Sequence, residues 1–152
     1  MLRLIEAFFP ERAPVKAKRM TCSYQAQKEG VFAELEFEVT AEKGVEAVEF
    51  TFVLFDIFDV FLGSMQGIAG PGKYQFGAKR NKARWVFVLD GAFSQYHALC
   101  FPSQARLLDG TVWRCDRAEC LRWLNATVAE GGATVTEDEV FPEEVAHAGI
   151  QE

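Results

Sequence analysis

The chain has no stretch near the roughly 18 consecutive apolar residues that a membrane-spanning helix needs. Its opening segment, Met1 to Pro10, is apolar at Leu2, Leu4, Ile5, Phe8 and Phe9. It also carries Arg3 and Glu6 and lacks a small-residue cleavage site, so it does not read as a secretion signal. No glycine-rich loop follows a strand and opens a helix, which removes the usual phosphate-binding signature. Positive charge is in deficit: 16 lysines and arginines face 22 acids, and the net charge of -6 disfavours general affinity for nucleic acid or anionic membrane. No internal repeat is visible, and the scattered acids form no distinct general acid–base pair.

Metal ligands are also sparse. A structural zinc site wants four ligands, usually in two close pairs. Cys115 and Cys120 make one pair at the outer limit of that spacing. Cys100 with His97 makes a poor second one, because positions three apart on a strand point to opposite faces. Nucleophilic pairs drawn from Cys100 and His97, or from Cys115 and His147, have no sequence context to orient them. The expectation is a non-enzyme without cofactor or metal. Its cysteines, Cys22, Cys100, Cys115 and Cys120, would be reduced small hydrophobes in a cytoplasmic protein.

What the chain does have is phenylalanine, 14 of them among 152 residues, which points to a core of aromatic packing between sheets. The run Val48 to Leu62 is the most apolar and β-prone part, and left unpaired it would be an aggregation hazard. It predicts the central strand of a β-sandwich, bending near Asp56 to Asp59 and continuing to Met65. Val31 to Ala41 alternates strictly. Val31, Ala33, Leu35, Phe37 and Val39 share a dry face, and Glu34, Glu36, Glu38 and Thr40 share the other. Residues 20–28 alternate too, and further strands are expected at 83–89, 95–108 and 111–114, with a glycine-rich crossing loop at 66–72. Asp109-Gly110 predicts a two-residue hairpin that sets Arg106 opposite Trp113 on the outer face and Leu107 opposite Val112 on the inner one.

After Cys115 the period changes. Asp116 and Glu119 suggest a capping box, and Leu121, Leu124 and Val128 mark a helical stripe that ends at Gly131-Gly132. That helix would cover a sheet edge or the end of the sandwich. The chain thus divides into a leader at 1–19, a sandwich at 20–115, a helix at 116–132 and an acidic tail at 133–152. The leader is a strand or helical turn docked on the sandwich edge, then a linker. The tail is expected to be loosely held apart from Val140 and Phe141.

Phe52-Val53-Leu54-Phe55-Asp56 resembles the signature of the FxLYD-type domains, small bacterial immunoglobulin-like sandwiches, with Phe55 in place of the tyrosine. In that family the strand runs into a reversal carrying Asp-x-x-Gly. This chain reads Asp56-Ile57-Phe58-Asp59, with Asp59 where the glycine stands. Asp109-Gly110-Thr111-Val112-Trp113 resembles the ending of related sandwich modules. The resemblance implies an all-β, immunoglobulin-like antiparallel sandwich of about seven strands with one C-terminal helix. It also suggests Cys22 facing Cys100 across the sheets, as thiols in a reducing compartment. It implies no chemistry.

A non-catalytic interaction module follows as the expected function, binding a protein partner or a second copy through a sheet edge or face. The alternative is a sandwich that binds carbohydrate or single-stranded nucleic acid. Lys73, Tyr74, Lys79, Arg80, Lys82, Arg84 and Trp85 interleave cations with rings and contain no acid, which is how a single-strand groove is built. Against it stands a solvated hairpin whose rings point inward. The same basic stretch could also meet the glutamate face of strand 31–41 in a second copy. Trp113 is the remaining candidate, as an exposed anchor. An enzyme or zinc protein ranks third.

Overall fold

A computed structural model describes residues 4–25, 30–42, 44–70, 81–88, 95–128 and 134–142. The described residues form eight strands and two helices. The strands are β1 (Leu4–Ala7), β2 (Val15–Gln25), β3 (Gly30–Val39), β4 (Val45–Asp56), β5 (Phe61–Ala69), β6 (Asn81–Val88), β7 (Gln95–Leu107) and β8 (Val112–Arg114). The helices are α1 (Arg117–Thr127) and α2 (Glu137–Val140). The fold is all-β in character, with two sheets and little helix. One sheet runs β2-β3-β6; the other runs β1-β7-β4-β5, with β8 also on β7.

The alternation of Val31 to Val39 has the expected outcome. Val31, Ala33, Leu35, Phe37 and Val39 are buried, while Glu34, Glu36 and Glu38 are only partly covered. A one-residue slip would drive those carboxylates into the core, so the pattern fixes the register. The dry face of β3 meets Val48, Phe50, Phe52 and Leu54 of β4, and Ala98, Cys100 and Ala105 of β7 complete this first core.

The opposite face of β4 is buried as well. Val53 and Phe55, with Leu99 and Phe101 of β7, pack against Cys120, Leu124 and Val128 of the α1 segment and against Val135, Val140 and Phe141. The five-stranded sheet is therefore the middle of three layers. This accounts for the continuous apolar run: Phe50 through Phe55 are all buried because that strand has no solvent side. The helix expected at an edge or end of the sandwich lies instead over the outer sheet face, where a second core needs cover.

The edge of β7 is shared end to end. β1 pairs in parallel with His97 to Cys100, and β8 pairs antiparallel with Gln104 to Arg106. Pro102, which has no N–H to donate, sits between the two at a bulge opposite Glu49 and Phe50. The segment read as a leader thus contributes β1, docked on the sheet edge as expected, and the start of β2, which begins at Val15 rather than at Met20.

Three expectations are corrected. The apolar run is not one bent strand; it turns back at residues 57–60, and β5 then runs antiparallel to β4 as far as Ala69, through much of the expected crossing loop. Asp56 causes the reversal: its Oδ1 accepts the backbone N–H groups of Phe58 (2.8 Å) and Val60 (2.9 Å), and Asp59 adopts a φ of 58°. The hairpin after β7 has three loop residues, not two. Gly110 N–H donates to the Leu107 carbonyl and Leu107 N–H to that of Thr111, with only Gly110 at positive φ (90°). That is a turn followed by a glycine bulge. The pairing moves by one: Arg106 faces Val112, and Ala105 faces Trp113. Lastly, the tail holds more than the excepted pair: Val140 and Phe141 are set into the second core as expected, and a reciprocal capping box between Thr136 and Glu139 folds the residues before them.

Phe52 is 1% exposed and meets the ring of Trp85 edge-on at 5.3 Å. Phe52→Ala should cost about 3–5 kcal/mol by urea denaturation, from lost transfer energy and the cavity left in a two-sided core. An unchanged denaturation midpoint would refute that placement.

Candidate functional site

Of the basic and aromatic stretch, Lys73, Tyr74, Lys79 and Arg80 lie outside the described residues. Lys82, Arg84 and Trp85 stand on β6, and the two cations are engaged within the chain. In register Lys82 faces Glu36 and Arg84 faces Glu34. Arg84 Nε lies 2.7 Å from Glu34, and Lys82 Nζ lies 3.5 Å from Glu34 and 3.6 Å from Glu36. On the other side, Lys16 and Arg19 of β2 face Glu38 and Glu36. The glutamate row, expected to meet water or a second copy, is flanked by cations of its own sheet. Partial burial opposes the charge on Glu34, but Lys82 and Arg84 outweigh it and hold its carboxyl below the usual glutamate range.

Trp85 points the other way, toward the core. Its ring is half-buried, 5.8 Å from Phe50 and 5.3 Å from Phe52, and its Nε1 donates to the Ile68 carbonyl at 3.1 Å. That bond occupies a backbone acceptor of β5, the strand that ends the five-stranded sheet, and closes the gap between the two sheets there. Gly67 makes it possible, since a Cβ at that position would come within 2.7 Å of the indole. Trp113 is half-buried against the first core, so the expected Arg106–Trp113 pair on the outer face is not formed. Arg106 instead donates to the Gly110 carbonyl at 3.3 Å.

The corrected register places a different set together. Helices cover the outer face of the five-stranded sheet around Val53, Phe55, Leu99 and Phe101. Further along the same strands lies a shallow groove of about 220 Å³ whose lining includes Glu49, Ile68, Arg106, Val112 and Arg114. Ile68 and Val112 are 60% and 39% exposed. Glu49 accepts from Ser103 Oγ (2.6 Å) and Gln104 Nε2 (3.2 Å), and its single negative charge is outnumbered by those of Arg106 and Arg114. No periodicity marked these residues, because β8 is only three residues long and its facing depends on the hairpin type. A second apolar exposure is the β4–β5 tip, where Ile57 and Phe58 are 63% and 78% exposed.

Cys115 and Cys120, considered as zinc ligands, are close to each other, while Cys100 belongs to the first core, on the other side of the sheet. Among the described residues no three His, Cys, Asp or Glu side chains are grouped to hold a metal ion. The structure describes the backbone of Cys22, opposite Ala33, but not its side chain, so its relation to Cys100 lies outside the described residues.

The ion-pair row and the indole each give an expected outcome. Glu34 ionises more easily folded than unfolded, so its contribution is present above the ordinary glutamate pKa and is lost as pH falls through the folded value. Glu34→Gln should therefore lower the melting temperature near neutral pH, and the gap to wild type should close on acidification. A gap that widens toward acid would contradict the pairing. Gly67→Ala should cost about 1–3 kcal/mol and alter the near-ultraviolet dichroism, because the indole must leave its slot. A silent Gly67→Ala substitution would show that the slot is slack.

No family model and no curated protein matches this chain. Among solved structures it is similar to a hypothetical protein from Peptoclostridium difficile 630. The TM-score is 0.55 and the identity 11%, with 88% of this chain and 99% of that one covered. The likeness is one of fold.

Proposed function

We propose that this protein is a non-catalytic interaction module of immunoglobulin-like fold, which binds a protein partner on the part of the five-stranded sheet that the helices leave bare. The strand orders β2-β3-β6 and β5-β4-β7-β8 support the fold. They fit a Greek-key sandwich in which the strand after the third lies in the second sheet. The resemblance to FxLYD-type domains gains support from Asp59. Its positive φ is the conformation that the glycine of the Asp-x-x-Gly reversal adopts most easily, and Asp56 performs the turn-capping that the motif's aspartate would serve.

One observation carries the binding surface: Ile68 and Val112 lie exposed between Arg106 and Arg114 on a sheet face that is covered everywhere around Val53 and Leu99. Apolar surface on rigid strands, rimmed by guanidinium groups, suits a partner presenting acidic and apolar side chains. The edge at β5 is less available, since Trp85 occupies the Ile68 carbonyl. Of the residues that the carbohydrate or nucleic-acid alternative would draw on, Lys73 to Trp85, the described ones, Lys82, Arg84 and Trp85, are all engaged inside the chain. Unbridged Cys115 and Cys120 suit the reducing cytoplasm, and no helix among the described residues is long and apolar enough to cross a membrane.

Photocrosslinking tests the surface. Benzoylphenylalanine at position 112 should trap a protein partner in extract of the source cell, and the same probe at position 82, on the far sheet, should not. Arg106→Glu combined with Arg114→Glu should abolish the adduct while changing stability by no more than about 1 kcal/mol. Adducts of equal yield from both positions, or an adduct indifferent to the charge reversal, would overturn the assignment. So would an adduct obtained only from position 58 at the hairpin tip.

A further inference from the structure

The start of α1 holds a pair of thiols that the interaction surface does not use. Asp116 is the N-cap and accepts the Glu119 N–H at 3.2 Å. Cys115 therefore precedes the cap and Cys120 is the fourth residue of the helix. Those two positions commonly hold a pair of packed apolar side chains that fix the angle at which the chain enters the helix. Here both are cysteine. Cys115 is anchored by its N–H, which donates to the Ser103 carbonyl at 2.9 Å, and Cys120 by its own, which donates to the Asp116 carbonyl at 3.1 Å. Both side chains pack in the second core, Cys120 within it and Cys115 against it.

The partners differ in access. Cys120 is fully buried in the second core. Cys115 is partly exposed and lines a cleft of about 240 Å³ with Glu49, Ser103, Arg114, Arg117 and Phe141. Arg117 is placed over the Phe141 ring, 4.6 Å from its centroid. The hydrogen bond from Cys120 lowers the pKa of Cys115 and outweighs the effect of burial, with Arg117 adding to it. The same bond, with burial, raises that of Cys120. Of the two sulfurs, the accessible Cys115 is the more readily deprotonated and the buried Cys120 the less.

We propose that Cys115 and Cys120 form a hydroperoxide-reactive dithiol, in which Cys115 is the attacking sulfur and Cys120 the resolving one. The Cys115 thiolate attacks one peroxide oxygen and the O–O bond breaks. The leaving hydroxide takes a proton and departs as water, and Cys115 is left as a sulfenic acid. The Cys120 sulfur then attacks the Cys115 sulfur, the S–O bond breaks, and a second water leaves with the Cys120 proton. Two thiols have lost two electrons and one peroxide has gained them. Closure brings the sulfurs to about 2 Å, between two residues that flank the turn opening the helix and pack in one core.

Hydrogen peroxide added in equimolar amount to the full reduced chain tests this. Peptide mapping after alkylation should find a Cys115–Cys120 disulfide as the main product. Before oxidation, iodoacetamide at neutral pH should label Cys115 at least about ten times faster than Cys120. In Cys120→Ala, which removes both the resolving sulfur and its hydrogen-bond donor, the sulfenic acid at Cys115 should persist and be trapped by dimedone, and half-labelling of Cys115 should move to higher pH. In Cys115→Ser the fast peroxide reaction should vanish. Mapping on the wild-type chain is free of any folding defect in the variants. A main disulfide involving Cys22 or Cys100, no disulfide, or equal labelling of Cys115 and Cys120 would each overturn the proposal.

Discussion

Everything in this molecule hangs on the pairing of β4 with β7 in a sheet that is buried from both sides. Phe50, Phe52 and Leu54 supply one core and Val53 and Phe55 the other, so the same stretch of backbone holds two apolar layers together. Neither layer is stable without the sheet between them, and the sheet cannot face water on either side along these residues. The glutamate row of β3 shows the contrast. That strand has one wet face, and it carries charge there because nothing needs to pack on it.

How much of this the sequence revealed depended on whether a signal was local. The strict alternation of Val31 to Val39 fixed its own register, and the apolar density around Phe52 located the centre. The capping residue Asp116 and the stripe Leu124–Val128 located α1. What was not legible was the third layer. An apolar run tells that both faces are dry but not what covers them, and Val140 and Phe141 lie in an acidic segment whose composition hid a short capped helix. Thr136 and Glu139 were the readable sign, at the same spacing as Asp116 and Glu119. The hairpin at Asp109-Gly110 failed for a different reason. The dipeptide fits two turn types, and a single residue of loop length decides whether Trp113 or Val112 turns outward.

That one-residue difference also relocated the candidate surface. A tryptophan anchor on the outer face gave way to Val112 and Arg114, alongside Ile68 and Arg106. The basic stretch, which in sequence looked available for a ligand, supplies Lys82 and Arg84 to the glutamate row and Trp85 to the seam between the sheets. Charge and rings that read as a groove in one dimension are, in three, the means by which the smaller sheet satisfies its own central strand. The surface that remains is defined by incomplete coverage rather than by a motif.

The arrangement of β7 sets a timetable for folding. The β2–β3 and β4–β5 hairpins join neighbours in the chain and close early, but β4 must wait for residues 95–107, about half a sheet's worth of contour later, before its inner edge is paired. Only then do β8 and the α1 segment arrive to cover Val53 and Phe55. On the ribosome, β2 and β3 are already made when the β4–β5 hairpin forms and can take its inner face, but the outer face, with Val53 and Phe55, stays bare while about 40 to 80 further residues are added, at a pace of seconds. The strand at the centre of the finished molecule is thus, during synthesis, one with an apolar face still waiting for its cover.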